Sequence, residues 1–185
     1  MRKHATIMIR VAAVLSVMIA LPARGAQEKG GAKPAMAAVP GAAEMERLKF
    51  YLGEWDYTES YPNGAKNTGV YISKLGPGGN SLVQNFHSKG PVGDFEGLLI
   101  MTWDPKEKAY KEYVFSNDAP GCVIETGQFE GDVLTYRAEL SMGDKKVVTR
   151  NTTRLAAPGK IVSEQYFSAG GGPEKLVVHV EATKR

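Results

Sequence analysis

The sequence has few residues of the types that metal binding or nucleophilic catalysis requires. Beyond the N-terminal segment its only histidines are His87 and His179, and neither has a Cys or His at metal-ligand spacing. No serine lies in a Gly-x-Ser-x-Gly pattern, and Cys122, the only cysteine, has no neighbouring base in the sequence. Because Cys122 precedes the apolar residues Val123 and Ile124, we expect it to be a small buried apolar residue. The sequence therefore predicts no metal site.

Paired carboxylates could instead perform general acid–base chemistry. Asp94 lies close to Glu96, and Glu125 to Glu130, but acidic residues in strands usually lie on solvated edges, and we expect both pairs there. The glycines cluster in turns, without the strand, Gly-x-Gly-x-x-Gly and helix order of a nucleotide site. We therefore expect a protein that is not an enzyme and has no catalytic residues and no cofactor.

The N-terminal residues are typical of a secretory signal peptide. A basic start that includes Arg2 precedes an apolar run over residues 11–20. A retained membrane anchor is the alternative, but a spanning helix needs about 20 apolar residues and this run is shorter. We therefore expect residues 1–25 to be removed by cleavage near Gly25 or Ala26, which places the mature protein in the periplasm or outside the cell.

Removal of this segment changes the charge. Residues 1–25 carry four basic residues and no acid, so the formal net charge falls from +3 by four, to −1. The mature chain therefore gives no electrostatic reason to expect binding to nucleic acid or association with a membrane. One cysteine also excludes an internal disulfide. Residues 26–41, rich in Gly, Ala and Pro, are predicted to be a flexible linker, and residues 42–185 to be one domain.

The positions of apolar residues predict one short helix followed by strands. Met45, Leu48 and Leu52 recur at helical spacing, which indicates a helix over residues 42–51. After it the period becomes two, and nine clusters of turn residues separate about ten short strands. No helical pattern lies between the strands, so we expect an all-β, antiparallel fold, either a sandwich or an up-and-down barrel. The short connections favour the up-and-down order.

Alternation predicts which side chains face inward. The first strand places Trp55 and Tyr57 on one face, and the last strand separates its apolar face from His179. The predicted inward residues of the last strand are Leu176, Val178, Val180 and Ala182. The strand from Phe95 to Trp103 is apolar on both faces, so its outer side needs cover from the N-terminal helix or from a second subunit. A homodimer is therefore a possible assembly.

Several motifs recur together in one family. They are the helix that leads into Leu52-Gly53-Glu54-Trp55, the turn and strand from Lys74 to Leu82, Gly93-Asp94-Phe95-Glu96-Gly97, Trp103-Asp104-Pro105 followed by Tyr110, and a last strand ending in Thr183-Lys184-Arg185. In this order they resemble a bacterial family of exported domains of unknown function with a lipocalin-like, or calycin, β-barrel. The resemblance covers nearly all of residues 45–185.

The resemblance implies how the barrel closes. In the wider superfamily, a basic residue near the chain end packs across the opening tryptophan. Lys184 matches that position here, because it shares the inward parity of the last strand, whereas Arg185 falls on the polar side. Gly53, Trp55 and Lys184 are therefore expected to close the barrel, with a weaker contact than arginine would give, since lysine stacks less well on an aromatic ring.

We expect the barrel to bind a small apolar or amphipathic ligand, because barrels of this size can hold one compact molecule. The alternative is a barrel filled with side chains that acts through its exposed apolar strand face. The aromatic residues expected to line a cavity are Trp55, Tyr57, Phe86, Trp103, Tyr113, Phe115, Tyr136 and Tyr166.

A haem-binding barrel similar to the nitrobindins is a further alternative, because those proteins ligate iron through a histidine near the chain end. His179 is the corresponding residue here. Its parity places it outside the barrel, however, and the glycines that follow tryptophan in nitrobindins are replaced by Asp56-Tyr57-Thr58. Haem is therefore not an expected cofactor.

Overall fold

Ten antiparallel strands form a closed barrel in the computed structural model, which describes residues 41–142 and 145–185. Each strand pairs with the next one in sequence, and the first strand also pairs with the last. The strands are Gly53–Ser60 (β1), Lys66–Leu75 (β2), Ser81–Gly90 (β3), Gly93–Asp104 (β4), Ala109–Ser116 (β5), Ala119–Glu130 (β6), Val133–Met142 (β7), Lys145–Ala157 (β8), Lys160–Ala169 (β9) and Lys175–Lys184 (β10). This confirms the predicted all-β, up-and-down barrel of about ten strands with a short N-terminal helix.

The predicted signal peptide, residues 1–25, and the predicted linker up to residue 40 lie outside the described residues. Both therefore stay predictions. Among the described residues, no helix has the length and apolar character that crossing a membrane requires.

The N-terminal helix is shorter than the sequence predicted. Helix α1 spans Ala42–Glu46, and a separate 3-10 turn spans Lys49–Tyr51. The buried residues in this region are Met45, Leu48 and Tyr51. They follow one another at intervals of three, which is the 3-10 period, so Tyr51 replaces the expected Leu52 in the buried stripe.

These helical residues fill one end of the barrel, which we call the closed end. Met45, Leu48 and Tyr51 belong to a single core cluster with Trp55, and the other buried members come from eight strands. The indole nitrogen of Trp55 donates a hydrogen bond to the Tyr51 carbonyl at 2.9 Å. The Tyr110 hydroxyl donates to the Glu44 carbonyl, also at 2.9 Å. Apolar packing and these two hydrogen bonds therefore fix the helix to the strands.

Inward-facing glycines allow aromatic rings to lie flat against the barrel wall. A Cβ atom at Gly69 would be 2.8 Å from the Tyr57 ring, and one at Gly97 would be 2.6 Å from the Phe86 ring. A larger residue at either position would also collide with a backbone carbonyl oxygen, of His87 or of Phe115. The two glycines therefore make room for these rings against the wall.

A bulge changes the predicted parity of the last strand. The register of β9 and β10 shifts between Leu176 and Val178, so one extra residue lies in β10. Val178 lies inside the barrel, as the alternation predicted, but Leu176 is paired with Tyr166 and is 39% exposed. The prediction that Leu176 faces inward is therefore wrong, because alternation holds only within an unbroken ladder.

Candidate ligand-binding cavity

The interior of the barrel is not filled by side chains. A cavity of about 870 Å³ extends from the closed end toward the β5–β6 turn at the opposite end, which we call the open end. Residues on all ten strands and Tyr51 border it. Pockets that hold small organic molecules are usually about 300–1,000 Å³, so the volume suits a ligand of that size.

Much of the cavity wall is apolar. Tyr57 and Phe86, two of the predicted residues, line it, and they are joined by Leu99, Val114 and Val180. Burial raises the pKa of Tyr57 to about 12, so its hydroxyl is neutral at physiological pH. These side chains offer an uncharged aromatic and aliphatic surface to the body of a ligand.

The other predicted aromatic residues do not line the cavity. Trp55 and Tyr136 lie in the core cluster. Trp103 packs edge-to-face on Tyr110, with ring centroids 4.9 Å apart. The remaining three lie on the outer side of the barrel and are Tyr113, Phe115 and Tyr166.

The error at β5 has a local cause. The aromatic residues Tyr113 and Phe115 were expected to face inward, but Tyr110 and Ala109 at the start of the strand are buried against the closed end. Alternation from Tyr110 then places Glu112 and Val114 inside. The signal that could have found this was present in the sequence, because Tyr110 follows the Trp103-Asp104-Pro105 turn and fixes the parity of the strand.

Two buried glutamates form the polar floor of the cavity. Glu112 on β5 and Glu125 on β6 are direct cross-strand partners, and they are 7% and 3% exposed. Burial and repulsion from Glu125 hold the pKa of Glu112 well above its usual range. Glu112 therefore keeps its proton to a higher pH than a surface glutamate does, and can donate it to Glu125. The prediction that Glu125 lies on a solvated edge is wrong, since β6 turns this side chain inward.

Neutral donors hold Glu125 in place. The Thr149 hydroxyl donates to one carboxyl oxygen at 3.0 Å, and the Asn151 amide nitrogen donates to the other at 2.6 Å. Two buried oxygens of residues that line the cavity, the Asn151 carbonyl and the Tyr71 hydroxyl, have no hydrogen-bond partner within the described part of the chain. Buried polar atoms are rarely left unpaired, so the cavity wall has unused hydrogen-bonding capacity.

Two more acidic residues and the cysteine lie toward the open end. Glu59 accepts hydrogen bonds from the hydroxyls of Tyr61, at 2.9 Å, and Ser88, at 3.1 Å. Asp118 and Cys122 border the cavity on the β5–β6 hairpin. Cys122 is exposed, so the expectation of a buried cysteine is wrong: the hairpin carries it beyond the core.

The residues expected to close the barrel lie at the closed end. Trp55 on β1 is paired with Lys184 on β10, and the lysine ammonium is 5.7 Å from the centroid of the indole ring. A Cβ atom at Gly53 would be 2.9 Å from the lysine side chain, so the glycine makes room for it. Arg185 instead binds Asp56 on the outside, with a nitrogen–oxygen distance of 2.6 Å.

Neither remaining histidine faces the cavity. His179 lies on the outer side of β10, with one ring nitrogen 3.5 Å from Glu164 and the other 3.8 Å from Glu181. His87 borders a shallow depression on the outer surface. Within residues 41–142 and 145–185, no three His, Cys, Asp or Glu side chains are grouped so that they could hold a metal ion.

The outer side of β4 is partly exposed. Leu98 and Ile100 are half-buried, and the neighbouring outward residues Phe115 and Ile124 are 41% and 54% exposed. Helix α1 contacts β4 near Trp103 and does not extend along this face. The possible homodimer stays a prediction, and a mass of one chain measured by light scattering would contradict it.

Comparisons with known proteins do not identify a family for this chain. No family model matches the chain, and no curated protein matches it. The chain is similar to a de novo designed fluorescence-activating β-barrel, with a TM-score of 0.42 and 13% identity over 80% of this chain and 100% of the design. It is also similar to EF1p2_mFAP2b bound to DFHBI, with a TM-score of 0.41 and 11% identity over 76% of this chain and 98% of that one.

A third similar structure is the redesigned barrel mFAP1 bound to DFHBI, with a TM-score of 0.40 and 10% identity over 75% of this chain and 98% of that one. Similarities this low do not support an inference about function. The resemblance to a bacterial exported family therefore stays a prediction, whereas the ten-strand barrel itself is established by the strand pairing.

Proposed function

We propose that this protein is an exported, non-enzymatic carrier or receptor that binds one small, apolar or amphipathic molecule inside its barrel. The observation that supports the proposal is the cavity of about 870 Å³, with its wall of Tyr57, Phe86 and aliphatic residues. A barrel filled with side chains, the alternative from the sequence, would have no such volume. Export is supported by the basic and apolar pattern of residues 1–25.

A neutral fluorescent dye tests whether the cavity binds apolar molecules. N-phenyl-1-naphthylamine gains fluorescence when it leaves water for an apolar site. Titration into the purified protein should give a saturable increase with one dye per chain. A linear, unsaturated response would contradict the proposal.

Substitutions at two adjacent residues test whether the dye binds inside the barrel. Leu99→Trp adds volume to a residue that lines the cavity, whereas Ile100→Trp changes the next residue, which alternation directs outward. Leu99→Trp should abolish dye binding, and Ile100→Trp should leave it unchanged. Melting curves of both variants establish that each is folded. Equal effects of the two substitutions would place the dye on the outer surface and overturn the proposed site.

Mass spectrometry of solvent extracts can identify a bound molecule directly. Protein produced in a bacterial host and purified without detergent should release a small molecule in about equal molar amount, and the Leu99→Trp variant should release none. The same preparation tests export, because protein from the periplasm should begin near residue 26 or 27 when its N-terminus is sequenced.

A further inference from the structure

The charged groups that line the cavity have one sign. Its lining includes the acidic residues Glu59, Glu112, Asp118 and Glu125 and, among the described residues, no Lys, Arg or His. Glu164 also borders the cavity, but its carboxylate lies on the outer side, where it accepts a hydrogen bond from Tyr166. An interior of this kind repels an anionic ligand and attracts a cationic one.

The floor of the cavity is rich in acceptors and poor in donors. The Thr149 hydroxyl and the Asn151 amide already donate hydrogen bonds to Glu125. Those two bonds are therefore not offered to an acceptor on a ligand. The Asn151 carbonyl oxygen, an acceptor on the side chain that binds Glu125, has no partner within the described residues. An ammonium group has N–H donors and no acceptor, so it complements this set of oxygens.

Aromatic rings in the wall of the same cavity add a second attraction for a cation. The rings of Tyr57 and Tyr71 lie with their centroids 5.8 Å apart, and both residues line the cavity with Phe86. The face of an aromatic ring attracts a cation, and the attraction strengthens where water is excluded. The same rings can contact the apolar part of an amphipathic ligand.

We propose that the cavity selects an amphipathic amine, whose ammonium group binds between Glu112 and Glu125 while its apolar body contacts Tyr57, Phe86 and Leu99. This inference rests on the proposed function, because it names the chemical class of the ligand that the same cavity holds. The ligand charge is the new element, since an apolar cavity alone would favour a neutral molecule.

The ionisation of the glutamate pair agrees with this proposal. Burial and the charge of Glu125 raise the pKa of Glu112, so the pair tends to hold a proton while the cavity is empty. The other titratable groups near Glu112 are the hydroxyls of Tyr51 and Tyr136, whose pKa values burial also raises, so they are neutral. An ammonium group can replace the shared proton and stabilise both carboxylates, and binding then releases that proton to the solvent.

Three naphthalene compounds of the same shape test the selection of charge. They are 2-(naphthalen-2-yl)ethylamine, 2-(naphthalen-2-yl)ethanol and naphthalen-2-ylacetic acid, which are cationic, neutral and anionic at pH 7.5. Isothermal titration calorimetry should show the amine binding about tenfold or more tightly than the alcohol, the ratio expected for a hydrogen bond to a charged group. The acid should bind most weakly. Equal affinities, or a preference for the alcohol or the acid, would overturn the proposal.

Substitutions then test whether Glu112 and Glu125 cause the preference for the amine over the alcohol. Replacement of both carboxylates, Glu112→Gln with Glu125→Gln, should bring the affinities for amine and alcohol within about twofold of each other by removing that interaction. Glu130→Gln, an exposed residue on the same strand as Glu125, is the matched control and should keep the wild-type ratio. If the double variant does not fold, the single variant Glu112→Gln decides, with a smaller but measurable loss of preference. A preference for the amine that survives these changes would overturn the proposal.

The two proposals fail in different ways. If N-phenyl-1-naphthylamine binds the cavity but the three naphthalene compounds bind equally, the ligand-binding barrel stands and the amine selectivity is wrong. If neither the neutral dye nor any of the three compounds binds, both proposals are wrong.

Discussion

The two ends of the barrel are formed by the same ten strands but are filled in different ways. At the closed end, Leu48 and Trp55 are almost fully buried, and the Trp55 and Tyr71 rings stack with centroids 5.8 Å apart. Toward the open end, the inward positions carry Glu59 and Ser116 around an empty volume. The difference shows that the alternating pattern decides which side chains face inward but does not decide whether they pack against one another across the barrel.

The N-terminal residues account for much of this contrast. Helix α1 and the turn after it add Met45, Leu48 and Tyr51 to one end only. The open end has no corresponding segment among the described residues. We therefore expect the closed end to provide most of the stability and the cavity to provide the binding, because packed apolar contacts stabilise a fold and cavities do not.

Trp55→Ala should have the largest effect on stability. The side chain is 1% exposed in the core cluster, so its removal should lower the free energy of unfolding by about 3–5 kcal/mol. Phe86→Ala, where one side of the ring already faces the cavity, should lose less than half as much. Urea denaturation measures both variants. Equal losses would mean that the two ends do not differ in packing.

Glu112→Gln should raise stability at neutral and alkaline pH. The folded-state pKa of Glu112 lies above its ordinary value of 4.5. Its contribution to stability is therefore complete below about pH 4.5 and is lost as the pH rises through the folded-state value. Glutamine keeps an N–H donor toward Glu125 and does not ionise.

At pH 8 the free energy of unfolding of Glu112→Gln should exceed that of the wild type by on the order of 1–3 kcal/mol, which is the cost of burying a polar group without a partner. It should shrink toward zero at pH 4. Denaturation at a series of pH values measures this difference, with Glu130→Gln as the surface control. A gain that is independent of pH would mean that ionisation of Glu112 does not cause it.

A pair of tyrosine substitutions compares a paired hydroxyl with an unpaired one. Tyr110→Phe removes the hydrogen bond to the Glu44 carbonyl and should lower the free energy of unfolding by about 0.5–1.5 kcal/mol. Tyr136→Phe removes a buried hydroxyl that has no partner in the described part of the chain, so it should be neutral or slightly stabilising. Thermal melts of both variants provide the test. A larger loss for Tyr136→Phe would show that its hydroxyl has a partner in solution.

His179→Ala should have the smallest effect. The imidazole is half-buried on the outer side of β10, next to two carboxylates, so the change should stay within about 0.5 kcal/mol. Addition of haem should give the same absorption spectrum for the variant and the wild type. A Soret shift that requires His179 would contradict the outward placement.

The sequence predicted the barrel because its signals are local. Turns such as Pro62-Asn63-Gly64 and Pro158-Gly159 require particular backbone conformations, and each was found between strands. Parity was predicted where the alternation was clear, as at Trp55 and Tyr57 in β1, and both of these residues are buried.

The site was harder to predict because its geometry depends on distant residues. In β5 both faces carry large side chains, and the inward face is the one that contains Tyr110, which contacts helix α1. Tyr113 and Phe115 were predicted to line the cavity, and Glu112 was not, because apolar residues are usually the buried ones. A binding site can bury polar residues as well. Whether ten strands leave a cavity depends on the summed volume of their side chains, and no local pattern contains that sum.

Cys122 has a practical consequence. It is the only sulfhydryl in the chain, it is exposed, and it stands at the entrance to the interior. A maleimide reagent would therefore attach at a single known atom without any engineering of the protein. A bulky adduct there would obstruct the passage between solvent and the cavity. Labelling before a ligand is added would then exclude the ligand, and labelling afterwards would trap it inside.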